Sequence, residues 1–213
     1  MGRGSSGGGG NLGNSKGGVN PANIKNERDL VSERERKQQE VDDVLEVARA
    51  ISEYYGVDVG QFMLADIGGK DMLTMAYSDG TNIGFNFRYF DGENMTKAYD
   101  DCVASGFHPS RGSKSAIEAV AAHEYGHVLT DAVARALGVS GMDAAAKVIV
   151  DRATKEAGYK GSKALAGKIS GYAKDSNAEC VAEAIADVYC NGSKASKESR
   201  AIVNEMNKIL KGK

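Results

Sequence analysis

Two imidazoles and a carboxylate stand together in Ala122-His123-Glu124-Tyr125-Gly126-His127-Val128. Residues four apart on a helix project from one face, so His123 and His127 can share a single Zn2+ through their ring nitrogens. Such a pair leaves coordination positions for a third protein ligand and a water, and Glu124 stands where its carboxylate can take that water's proton. The chain contains three histidines. Two of them fall in this motif, inside a stretch whose helical signals do not depend on it.

A two-histidine catalytic zinc usually takes a carboxylate as its third ligand. Downstream, Glu179, Glu183 and Asp187 recur at every fourth position and so line one face of a helix. Glu179 and Glu183 are the candidates. Glu179 has a competing role, because Ser176-Asn177-Ala178-Glu179 fits a capping box in which it would only bond back to the Ser176 amide. His108, the third histidine, is a weaker candidate, since it lies upstream in the Pro/Gly loop 106–113.

The motif His123-Glu124-Tyr125-Gly126-His127, followed by Tyr172-Ala173-Lys174-Asp175-Ser176-Asn177-Ala178-Glu179-Cys180-Val181-Ala182-Glu183-Ala184, resembles the catalytic domain of anthrax lethal factor and its relatives among bacterial and phage-encoded zincin-like metalloproteases. The resemblance covers the two site helices and their lead-in. It implies Glu179 as the third zinc ligand and Glu183, one turn on, as the group that orients a histidine ligand. It implies Tyr172 as a hydroxyl donor to an oxyanion, against the plainer role of a core tyrosine. A gluzincin-type zinc metalloendopeptidase, with Zn2+ as cofactor and a protein or peptide as substrate, is the activity it carries with it. Cys180 and Val181 stand where the family often has an aromatic residue. Thr130 and Val133 occupy the positions where a metzincin extension needs glycine and histidine, and no histidine follows His127.

The elements that must position these groups are legible in outline. A helix over 115–137, closed by Gly138, carries the motif; Ile117, Val120, Ala121, Glu124 and Val128 mark its stripe, with the two histidines at the margin and the site therefore at the edge of the core. Gly126 inside it costs about 1 kcal/mol against alanine, which suits a strand or substrate backbone passing close by. Earlier, Val41, Val44, Leu45, Ala48, Ile51 and Tyr55 step by three and four to a stop at Gly56. The runs 72–77 and 81–87 flank Ser78-Asp79-Gly80 as a hairpin, with Ile83, Phe85 and Phe87 on the face to be buried. A sheet edge near the metal helix would suit an extended peptide added as a strand. Further helices are predicted over 143–157, 162–170, 176–190 and 193–211.

Composition sets the limits. Nine of the 27 glycines lie in the first 18 residues, too poor in apolar side chains to order themselves. Formal charge is +2 over residues 1–40, −8 over 41–191 and +4 over 192–213. An acidic body argues against nucleic acid as a partner. Cys102, Cys180 and Cys190 cannot pair completely, which favours reduced thiols and a cytoplasmic or phage-associated setting. No signal peptide or membrane-spanning run is evident, so no membrane partner is expected. The reading is α+β and mainly helical with a small antiparallel sheet: a Gly-rich tail over 1–25, a charged helical arm over 26–40 and, by the resemblance, a zincin-like catalytic domain over 41–213. The alternative is a non-catalytic zincin-fold structural or interaction protein of a phage or mobile element, attached through the tail.

Overall fold

The computed structural model describes residues 24–29, 37–67 and 74–212. Its elements run β1 (Ile24–Asp29), α1 (Gln38–Tyr55), β2 (Phe62–Ile67), β3 (Ala76–Ser78), β4 (Ile83–Asn86), α2 (Gly92–Ala104), α3 (Ala116–Leu137), α4 (Gly141–Glu156), α5 (Ser162–Ala166), α6 (Asn177–Asn191) and α7 (Lys197–Leu210). Single 3-10 turns at Tyr172–Lys174 and Gly192–Lys194 bracket α6. The fold is α+β and mainly helical. Among the described residues, no helix is long and apolar enough to cross a membrane.

The tail expected over 1–25 lies outside the described residues up to residue 23, and of the charged arm expected over 26–40, residues 30–36 lie outside as well. Of the described part of the arm, residues 38–40 are helical as the start of α1, while residues 26–29 correct the helical expectation. Residues 24–29 form β1, which pairs antiparallel with β2 through Ile24 with Ile67 and Arg28 with Leu64. An open edge of β2 offers backbone partners, and pairing overrides the weak helical preference of a charge-rich run. Helix α1 starts only at Gln38, with Val41, Val44, Val47 and Ile51 buried and Gly56 closing it in the left-handed conformation at φ 67°.

The sheet is mixed, not antiparallel. Its order is β1-β2-β4-β3, with β2 parallel to β4 and the hairpin β3-β4 antiparallel. The chain leaves β2, forms β3 at the far edge and returns to insert β4 between them, which makes β4 run alongside β2. The hairpin turn is set by Asp79, whose carboxylate accepts the Thr81 and Asn82 N–H groups at 2.8 and 2.7 Å. As an inner strand β4 is buried on both faces, Asn86 included, whose side-chain amide donates to the Thr74 carbonyl at 2.9 Å. Phe87, expected on the buried face, follows the last strand residue into a turn and is 41% exposed.

Two elements have no counterpart in the sequence analysis, β2 and α2. The second starts at Asp91, whose side chain accepts the Glu93 and Asn94 N–H groups. Helix α5 stops at Ala166, short of the expected residue 170, where Gly167 interrupts it. Helix α7 turns Ile202, Val203 and Met206 inward, while Ile209 and Leu210 pack half-buried against the core.

Helix α3 departs most from expectation. Instead of one apolar stripe, it is buried on every side from Ala116 to Ala134 apart from Asp131. Helices α1, α2, α4, α6 and α7 and strands β3 and β4 all pack on it. A helix buried all round belongs to the middle of a core, so the motif sits inside the molecule and not at its margin.

Candidate metal centre

Helix α3 begins where Ser115 and Glu118 cap each other: the Glu118 N–H donates to the Ser115 hydroxyl at 3.1 Å and the Ser115 N–H donates to the Glu118 carboxylate at 2.8 Å. Two turns on, His123 and His127 project toward α6, their ring centroids 5.1 Å apart. Gly126, between them, sets the distance to that helix. A Cβ there would lie 2.7 Å from Ala182 Cα. The close neighbour is thus the α6 backbone, where a strand or substrate was expected, and the glycine brings acidic residues of α6 within reach of the histidines.

On α6, Glu179 supplies that carboxylate. Its Oε2 lies 3.1 Å from His123 Nε2 and 3.6 Å from His127 Nε2. Ligand atoms of His123, His127 and Glu179 lie within 4.8 Å of one another, and the three buried residues form a group able to hold a metal ion. The capping alternative is half present. The Glu179 N–H donates to Ser176 Oγ at 3.0 Å, which caps α6, while the Glu179 carboxylate faces the histidines.

One turn further, Glu183 is fully partnered. Its Oε1 accepts from His123 Nδ1 at 2.8 Å and from His108 Nδ1 at 3.0 Å, and its Oε2 accepts from the Ser170 hydroxyl at 2.7 Å. A carboxylate only accepts, so His123 carries a proton on Nδ1, and its Nε2 is the ring nitrogen that faces Glu179. His108 is therefore a partner of Glu183 and lies outside the candidate ligand group. Tyr172 stacks its ring on His123, with centroids 5.7 Å apart and planes at 12°, and on Phe107 at 5.0 Å. Asp187 takes no part: its oxygens accept from the Asn191 side chain and the Ser196 N–H at 2.9 and 3.0 Å.

The electrostatics follow from burial among mixed charges. Desolvation alone would raise the Glu179 and Glu183 carboxyls, but His127 and His123 beside the first, and His108 and His123 beside the second, bring both down to about 2. Burial works against a charged His123, yet the two carboxylates raise its pKa well above the ordinary value. A field that favours a proton at that point favours a cation. Glu124 is pushed up to about 7, chiefly by burial, with the histidines opposing. Burial and the nearby carboxylates raise Tyr172, which keeps its phenol protonated.

The decisive feature is what these groups leave unpaired. His123 Nε2, both nitrogens of His127, Glu124 Oε2, the Tyr172 hydroxyl and Glu179 Oε2 are buried without a hydrogen-bond partner. Orphans of this kind are costly and rare in a core, and three of these five residues, His123, His127 and Glu179, bring ligand atoms within 4.8 Å of one another. Two imidazole nitrogens and a carboxylate oxygen suit a borderline cation such as zinc, so the donor set fits the metal that the motif implies.

No protein-family model matches the chain, and neither the curated proteins nor the solved structures yield a match.

Sequence reasoning missed Ser170, Phe107 and the partnership of His108 with Glu183. Pairing of the segments 106–107 and 171–172 brings them in, through Gly171 N–H to Gly106 O at 2.8 Å and Tyr172 N–H to Phe107 O at 3.0 Å. A contact between two loops leaves no periodic signal; the histidine, phenylalanine and proline packed into one short connector were the available hint.

Proposed function

We propose that this chain is a zinc metallopeptidase of the gluzincin type, in which His123, His127 and Glu179 hold Zn2+, Glu124 is the general base and Tyr172 the oxyanion donor. The observation that carries the reading is the set of unpartnered buried donors and acceptors on these five residues, three of which bring ligand atoms within 4.8 Å of one another. Zinc, when bound there, lowers the pKa of a water toward about 7 and polarises a carbonyl. Glu124, with its carboxyl at about 7, is poised to take a proton from the attacking water and pass it to the leaving amine. Tyr172 keeps its hydroxyl proton and donates it as a hydrogen bond to the oxygen on which charge develops. Glu183 orients His123.

One observation favours a second reading. None of the five residues exposes more than 6% of its surface, as in a closed structural site. A non-catalytic zincin-fold structural or interaction protein, of the kind a phage or mobile element encodes, would hold the ion without turnover. The separating experiment is zinc per chain by elemental analysis, together with cleavage of a denatured-protein mixture by wild type and Glu124→Gln. About one zinc per chain with cleavage lost in Glu124→Gln and on chelation supports the peptidase. Zinc without cleavage supports the structural protein, and absence of zinc defeats both.

A further inference from the structure

We propose that His108 is a positioning residue of the metal centre: by donating Nδ1–H to Glu183 it fixes the carboxylate that in turn fixes His123. The inference rests on the reading of His123, His127 and Glu179 as metal ligands. Its basis is one shared atom, since Glu183 Oε1 accepts from His108 at 3.0 Å and from His123 at 2.8 Å. Ser170 holds the other oxygen at 2.7 Å. Three donors from three segments triangulate the carboxylate, whereas His123 and Ser170 alone would leave Oε1 free to follow the His123 ring. With His108 in place, the ring follows the carboxylate instead.

His108 is itself held firmly enough to serve. Its ring lies flat against Tyr99, centroids 5.2 Å apart and planes at 4°, and the Tyr99 hydroxyl donates to the Pro109 carbonyl at 3.2 Å. On the other side, the Phe107 N–H donates to the Cys102 carbonyl at 2.8 Å, anchoring the loop to the end of α2. The same loop registers Tyr172: a Cβ on Gly171 would lie 3.2 Å from both Gly106 O and Phe107 Cα, so the two segments meet backbone to backbone. Positioning of the ligand histidine and of the tyrosine thus converges on one short connector. His108 also meets the rings of His123 and Tyr172 edge-on, centroids 6.4 and 5.5 Å apart, contacts that a phenylalanine in its place keeps, so the hydrogen bond to Glu183 is what His108→Phe removes.

The test compares wild type, His108→Phe, Glu183→Gln and the double variant by Zn2+ affinity in chelator competition and by the absorption spectrum with Co2+ bound, with the melting temperature of each metal-free protein as control. Phenylalanine keeps the stack on Tyr99 and removes the donor. The expected result is an affinity loss of about tenfold in His108→Phe, altered Co2+ bands, and a double variant no weaker than Glu183→Gln alone. In metal-loaded wild type, 15N NMR of the imidazoles should show His108 protonated at Nδ1, a readout that needs no variant to fold. Wild-type affinity and spectrum in His108→Phe, fully additive losses in the double variant, or an unprotonated His108 Nδ1 would each overturn the proposal while leaving the metal reading standing. Failure of wild type to bind either metal overturns both.

Discussion

The two ends of helix α6 bury acidic side chains to nearly the same depth and treat them in opposite ways. At the far end, both Asp187 oxygens are taken, by Asn191 and by the Ser196 backbone at the entry to α7. At the near end, Glu179 keeps an oxygen with no hydrogen-bond partner, among histidine nitrogens and a tyrosine hydroxyl in the same state. A satisfied buried carboxylate is part of the architecture. An unsatisfied one beside two imidazole nitrogens belongs to a group that could hold a metal ion.

The sharpest way to break that contrast is to remove each carboxylate in turn. Glu179→Ala should lower Zn2+ affinity by at least about a hundredfold, measured by chelator competition, while the helix cap survives because Ser176 Oγ accepts a backbone N–H there. Asp187→Ala should leave affinity unchanged and cost about 1–3 kcal/mol in denaturant unfolding, the penalty for stranding its donors. Loss of zinc in Asp187→Ala would dissolve the distinction. A smaller effect probes the contact that brings the two helices together. In Gly126→Ala, overpacking against the Ala182 backbone costs about 1–3 kcal/mol and gained helix propensity returns about 1, with weakened zinc binding as α6 shifts outward. Wild-type affinity there would mean that α6 is not held in place by this approach.

The smallest expected effect lies at the start of α3, away from the site. Burial raises the Glu118 carboxyl, but the Lys114 ammonium and the Ser115 N–H outweigh it and hold its pKa below the ordinary value. A depressed folded-state value means stability fully present above the unfolded pKa of about 4.3 and lost as pH falls through the folded one. Glu118→Gln should therefore cost about 1 kcal/mol near pH 7 and flatten the acid limb of the stability profile, with zinc binding intact. An unchanged acid limb would show that the cap carries no such linkage.

Much of this arrangement was legible in the sequence, for reasons particular residues make plain. Apolar spacing and a glycine stop delimit α1; the apolar stripe from Ile117 and the stop at Gly138 bound α3; Asp79 and Gly80 mark the hairpin. These are local signals. The parallel pairing of β2 with β4 and the strand at Ile24–Asp29 depend on which edges the fold leaves open, and no window of sequence holds that information. At the site, the histidine spacing and the fourfold repeat of acids singled out His123, His127, Glu179 and Glu183 together. What the repeat cannot say is which acid meets the ligand atoms and which the back of a ring, because that turns on how closely Gly126 lets two helix backbones approach.

The depth of the centre also has a kinetic side. An ion held there would sit behind side chains that expose at most 6% of their surface, and its exchange would be tied to opening of the neighbouring structure. Its residence time would then be governed by how often α3 and α6 part, so the rate at which a chelator strips the ion would report the breathing of the fold, and only the equilibrium reached would report the strength of the donors.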